Sequence, residues 1–151
     1  MTSEVYTWVK QIRDELNLKG KVLDIGSLDI NGCVRDLFED YIGLDQIPGR
    51  NVDMVCNAHS LPFKPEFFDV VCCLEVLEHD TNFFQTISES YRVLKQGGYF
   101  LLTARANGYE HHDYPCDYWR FSEDSFNLLL KDFTHYHVGE NLLGIYGWAQ
   151  K

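Results

Sequence analysis

Apolar residues at Val5, Trp8, Val9, Ile12 and Leu16 recur at helical spacing, so the chain opens with an amphipathic helix that ends before Gly20. VLDIG follows as a short buried strand, and Val34, Leu37 and Phe38 predict a helix starting near Asn31-Gly32. YIGLD reads as the second strand and DMVCN as the third. FDVVCCLE is the fourth, apolar on both faces as a central parallel strand should be. Residues 80–95 predict a helix with Phe83, Phe84, Ile87, Tyr91 and Leu94 inward, stopped by Gly97-Gly98. YFLLTA is the fifth strand, and Ser122, three residues before Ser125, caps another helix. Two last strands, 134–139 and 143–149, lie close enough for a hairpin.

Strand and helix alternate throughout, which predicts one α/β domain over residues 1–151 with a seven-stranded, mostly parallel sheet and an antiparallel last strand. Only about seven residues separate YIGLD from DMVCN, fewer than the ~10–12 of a βαβ crossover. The helix between strands 2 and 3 is therefore expected to be replaced by a loop through Pro48-Gly49.

Charge and cysteine content narrow the function classes. A formal net charge of −10, with no Lys/Arg cluster, disfavours a nucleic-acid partner. No apolar run approaches the ~20 residues that span a bilayer, and the start has no signal or transit character. A cytoplasmic protein with no membrane partner is the expectation. Cys33, Cys56, Cys72, Cys73 and Cys116 form an odd set without CxxC spacing, which reads as reduced thiols. Cys72 and Cys73 fall in an apolar strand and read as packing residues, and Arg92 and Lys95 as a solvated helix face.

The stretch KVLDIGSLDING carries the chemistry. In open α/β sheets ligands bind beyond the carboxyl ends of the strands, at the switch in strand order. Asp24 then lies at the crevice floor, Gly26 permits a tight turn, and Asp45 ends the second strand where a carboxylate can accept both ribose hydroxyls. An acid at Asp24 would repel a dinucleotide pyrophosphate, and G-x-G-x-x-G is absent. A ligand with a cationic group and an adenosine, such as S-adenosylmethionine, suits both carboxylates.

VLDIGS, YIGLD, NAHSLPF, FDVVCCLEVLEH and YRVLKQGGYFLLT, in this order, resemble the class I S-adenosylmethionine-dependent methyltransferases of the small type-11 kind, related to quinone methyltransferases. The resemblance implies a Rossmann-like methyltransferase sheet, S-adenosyl-L-methionine as cofactor, and methyl transfer to a small-molecule or glycan acceptor. It places Asp24, Gly26 and Ser27 at the methionine end and Asp45 at the ribose, with Gln46 in the same set. Ile47 and Leu61 would sandwich the adenine, and Asn57 and the Ala58 N–H would meet its polar edge. Leu74 and Glu75 would lie beside the amino-acid part, with His79 at the rim of the transfer site. The family's D-x-G-x-G-x-G departs here, since Leu28 and Ile30 replace the later glycines and Gly32 arrives late.

HHDYPCDYWRF, residues 111–121, follows the fifth strand at the functional edge and resembles a P-x-D-Y-W-R-F segment of some glycan-associated relatives. A functional reading makes it the acceptor wall, with His112, His111 and His79 as candidate bases and Tyr118 positioning the acceptor. A structural reading makes Trp119 and Phe121 core, pairs Arg120 with a carboxylate and has Asp117 cap a turn. A metal reading would draw on His111, His112, Asp113, Asp117 and Cys116, but the spacing matches no standard site, so no metal is expected. No inserted lid is visible, which implies a small acceptor or closure by the substrate, a partner chain or a second copy. Two other classes stand beside methyl transfer: a non-catalytic S-adenosylmethionine-binding protein, and a nicotinamide-dependent dehydrogenase, which Asp24 and the missing glycine pattern oppose.

Overall fold

The computed structural model of the protein describes residues 2–112, 116–141 and 144–151. Helix α1 (Ser3–Glu15) starts on Thr2, whose hydroxyl accepts from the Val5 N–H, and buries Val9 and Ile12. Seven strands follow: β1 (Lys21–Ile25), β2 (Asp40–Asp45), β3 (Met54–Val55), β4 (Phe68–Leu74), β5 (Leu94–Ala104), β6 (His135–Glu140) and β7 (Ile145–Gln150). They make one sheet in the order β3-β2-β1-β4-β5-β7-β6, in which β7 runs antiparallel to both its neighbours. The order reverses between β1 and β4, so the switch point lies at their carboxyl ends.

Alternation along each strand divides the core into two layers. Leu23, Ile25, Val71, Cys73, Phe100 and Leu102 pack toward α2 (Phe83–Val93) and α3 (Glu123–Leu130). Val22, Val70, Cys72, Leu74 and Leu101 pack toward α1. Cys72 and Cys73 are buried packing residues, and all five cysteines are free thiols. The Ser122 hydroxyl accepts from the Ser125 N–H while Ser125 Oγ accepts from the Ser122 N–H, a reciprocal cap that starts α3 as expected. No helix among the described residues is long and apolar enough to cross a membrane.

Five expectations need correction. The helix after Gly32 shrinks to a 3-10 turn at Arg35–Leu37, because β2 begins at Asp40 and leaves too few residues for more. The predicted 80–95 helix starts later, at Phe83. Asp80 accepts from the Asn82 N–H and the Thr86 hydroxyl, and this local turn competes with helix. It also ends earlier: Leu94 is already extended and pairs with Phe68, so Gly97-Gly98 lie inside β5 and do not stop a helix. On α2 itself Phe84 faces solvent at 61% exposure, while Arg92 is half-buried, paired with Glu89 and donating to the Phe63 and Leu61 carbonyls. The loop through Pro48-Gly49 does join β2 to β3 without a helix. Leu143, expected to open the last strand, lies outside the described residues.

Candidate functional site

Asp24 is the penultimate residue of β1, on its α1-facing side, and is buried. Its partner across the ladder on β2 is Gly43. A Cβ on Gly43 would stand 2.2 Å from the Asn51 carbonyl oxygen and 2.7 Å from Ser27 Oγ, so only glycine admits this packing. The Tyr41 hydroxyl, from the same face of β2, donates to Asp24 Oδ2. Asn51 Nδ2 donates onward to that hydroxyl at 3.0 Å and to the Ser27 carbonyl at 2.8 Å. The Arg35 guanidinium lies 4.4 Å over the Tyr41 ring and donates to Asn51 Oδ1. Burial pushes the Asp24 pKa up to about 7, against the opposing pulls of Tyr41 and Arg35. Asp24 thus stands close to the neutral range, where a cationic ligand would favour its charged form.

Gly26 makes the turn out of β1 at φ +76°, and a Cβ there would meet Val76 Cγ2 at 2.2 Å. The N–H groups of Gly26 and Ser27 donate to the Leu44 carbonyl at 2.8 and 3.0 Å, which ties the loop to β2. The Ser27 hydroxyl is turned inward onto the Asn51 carbonyl, so its side chain faces the protein interior. Where the family pattern has a glycine, Leu28 leans over Gly49.

Asp45 ends β2 half-buried. Its Oδ2 accepts from the Leu28 N–H at 3.2 Å and its Oδ1 from the Ile47 N–H at 3.0 Å. Gln46 and Ile47 are exposed beside it. Asn57 is exposed, with its Oδ1 accepting from the His59 N–H, while Ala58 and Leu61 are buried against the α2 side. Two carboxylates flanking a glycine turn at the switch point suit a cationic, hydroxyl-bearing ligand and would repel a pyrophosphate. The residues present therefore fit S-adenosylmethionine.

The other half of the crevice surrounds the end of β4. Leu74 is buried on the α1 side, and Glu75 turns the chain at φ +60°, rare for a residue with a side chain. Its N–H donates to the carbonyl and hydroxyl of Thr103, and its Oε2 pairs with Arg105 Nη2. Glu75, Thr103 and Arg105 line a cavity of about 170 Å³ whose other side includes Val5 and Trp8 of α1.

A 3-10 turn, Leu77–His79, follows. The Glu78 carbonyl accepts from the Tyr118 and Trp119 N–H groups and so docks the 116–121 segment. His79 and His112 meet edge to face with ring centroids 4.9 Å apart. Burial lowers the His112 pKa, against the opposing pull of Asp117. Asp117 holds the segment together, pairing with Arg120 and accepting from the His112 N–H; these contacts keep its carboxyl far below the usual carboxylate range. His111 and the Tyr118 ring are exposed. Trp119 is 43% exposed, against the core role considered for it, although its Nε1 donates to the Asp80 carbonyl; Phe121 is buried. Asp113 lies outside the described residues.

Sequence reasoning missed Tyr41, Asn51 and Arg35 around Asp24, and Glu78 and Arg105 beside the histidines. A charge directly after an apolar strand, as in Arg105, was the available signal. Nothing local marks Tyr41.

Residues 20–102 match the methyltransferase domain family Methyltransf_11. The chain belongs to that family. It is 31% identical over 123 residues to the mitochondrial 2-methoxy-6-polyprenyl-1,4-benzoquinol methylase of Dictyostelium discoideum, over 73% of this chain and 37% of that protein. It is 28% identical over 148 residues to the ubiquinone/menaquinone biosynthesis C-methyltransferase of Xylella fastidiosa, over 87% and 58%. The matches thus span less than two thirds of either relative. In fold it is similar to 1,6-didemethyltoxoflavin-N1-methyltransferase of Burkholderia thailandensis, solved with 1,6-didemethyltoxoflavin and S-adenosylhomocysteine. The TM-score is 0.76 at 16% identity, covering 97% of this chain and 77% of that one.

Proposed function

We propose that this methyltransferase domain transfers a methyl group from S-adenosyl-L-methionine to a small-molecule acceptor. The observation that carries the reading is the pair Asp24 and Asp45, at the carboxyl ends of adjacent strands, flanking the Gly26 turn at the switch in strand order.

When bound, S-adenosylmethionine supplies a sulfonium-activated methyl carbon that a nucleophile displaces in line. The protein's contribution is alignment and charge placement. In this reading the Asp24 carboxylate takes the ammonium end, backed by Tyr41, and the turn at Gly26 allows close approach. Asp45 accepts from the ribose hydroxyls, with Gln46 and Ile47 beside it, and Asn57, Ala58 and Leu61 form the adenine end. Leu74 and Glu75 border the methionine end.

The acceptor enters from the side of the 170 Å³ cavity, which suits a small molecule. The acceptors named for the similar proteins, a polyprenyl benzoquinol and 1,6-didemethyltoxoflavin, support a small-molecule acceptor over a macromolecular one. Where the acceptor carries a proton, His112 and His79 are the groups available to take it, with His111 and Tyr118 in the same segment.

Calorimetry with S-adenosylmethionine, S-adenosylhomocysteine and NAD tests the cofactor assignment, and methyl transfer to a panel of small phenols, quinols and amines tests turnover. Binding of the first two ligands with transfer is expected. Preference for NAD would overturn the reading, and binding with no transfer to any acceptor would make the protein a cofactor-binding module.

A further inference from the structure

Glu78 is 0% exposed, and neither of its side-chain oxygens accepts a hydrogen bond from the described residues. Arg105 Nε lies 3.9 Å from Oε1, inside ion-pair range but beyond hydrogen-bond reach, and Arg105 Nη2 is engaged by Glu75. A buried carboxylate in that state is costly unless it takes up a proton or a cation.

What lies around Glu78 suits a cation. Glu78, His79 and His112 each offer one ligand atom, and the three atoms lie within 4.8 Å of one another. Ligands on one ion at about 2.0–2.2 Å stand roughly 3–4 Å apart, so closure requires a contraction of about 1 Å. His79 Nδ1 sits 2.5 Å from the Cys116 carbonyl oxygen, which places the proton on Nδ1 and the lone pair on Nε2. His112 Nδ1 is 3.0 Å from Asp117 Oδ2, at an angle too poor for a hydrogen bond, and Asp117 is itself fixed by Arg120. A carbonyl standing behind the His79 imidazole is the outer support that metal-binding histidines use, and Asp117 lies near enough to His112 to provide the same after a small rotation of the ring.

We infer that Glu78, His79 and His112 form a binding site for a divalent first-row transition ion, a two-histidine, one-carboxylate set with positions left open. Two nitrogen ligands select against Mg2+ and Ca2+, which take oxygen. The site needs no cofactor, although its two histidines are the ones that the methyl-transfer reading offers as proton acceptors, a role they would give up on binding a metal. Only its use rests on that reading: an acceptor hydroxyl coordinated there would give its proton to bulk water at neutral pH.

The test is Co2+ titration of the full chain after chelator treatment, followed by visible d–d absorption, with Zn2+-induced thermal shifts in parallel. One Co2+ per chain is expected, without thiolate charge-transfer bands. Glu78→Gln and His112→Ala should each weaken binding by at least about 100-fold, since loss of outer support alone costs about 10–100-fold. His135→Ala, on the far edge strand, should leave binding unchanged. Without metal, Glu78→Gln should melt no lower than the parent, because it removes a buried carboxylate that accepts no hydrogen bond from the described residues, and it should lose the Zn2+-induced rise. Co2+ binding retained by both ligand variants, or thiolate bands abolished by Cys116→Ser, overturns the inference. S-adenosylmethionine calorimetry in chelator tests the cofactor reading separately, so the two can fail independently.

Discussion

The Tyr41 hydroxyl donates to the buried Asp24 carboxylate across the β1–β2 ladder, and Asn51 donates to that hydroxyl in turn. This chain of donors holds the Asp24 carboxylate in place at the end of β1. It does not cancel the cost of burial, so Asp24 titrates at about 7 against 3.8 for a free side chain.

That shift has a definite sign. The folded pKa lies above the unfolded one, so the stability it contributes is fully present below about pH 4 and is lost as pH rises through about 7. The ligand-free protein should lose stability between about pH 4 and 8, by about 4 kcal/mol at most from this group. Asp24→Asn should flatten that slope, as read from urea unfolding at several pH values. An ammonium bound at Asp24 would draw the proton off. Calorimetric enthalpies of S-adenosylmethionine binding near pH 7 should therefore vary with buffer ionisation heat in the parent and not in Asp24→Asn.

Gly26→Ala places a Cβ 2.2 Å from Val76 Cγ2 at φ +76°. Steric clash and left-handed strain should together cost about 2–4 kcal/mol. Adding Val76→Ala should recover the clash component and leave the strain of about 1–2 kcal/mol, measured as thermal unfolding of both variants.

Asp45→Ala removes a half-buried acid whose present partners are two backbone N–H groups. Loss of charged hydrogen bonds to a ligand should weaken S-adenosylmethionine binding by about 1.5–3 kcal/mol, roughly 10- to 100-fold. Calorimetry checks this, with circular dichroism confirming an intact fold.

Ser122→Ala breaks the reciprocal cap of α3 and should lower stability by about 1 kcal/mol in urea unfolding. The Ser122 side chain bonds within α3, to Ser125, so S-adenosylmethionine affinity should stay within error of the parent.

Much of the fold was legible because periodicity reports burial directly. VLDIG, YIGLD and FDVVCCLE alternate or run apolar as paired and central strands must, and the seven-residue gap left no room for a helix before β3. The misplaced elements fail for one reason. Gly97-Gly98 signal a helix stop only when the preceding residues are helical, and pairing of Leu94 with Phe68 pulls them into β5. Likewise Val34 and Leu37 have helical spacing, but the start of β2 at Asp40 cuts the helix short.

By itself the sequence determined the α/β class, the two strand-end acids Asp24 and Asp45, and the glycine turn, because each is set by short-range pattern and by the chemistry of its residue type. Only the tertiary structure decided that Tyr41 and Asn51 support Asp24, and that Glu78, His79 and His112 converge. Tyr41 lies 17 positions from Asp24 and His112 lies 34 from Glu78, and no local periodicity encodes which distant side chain a buried charge will meet.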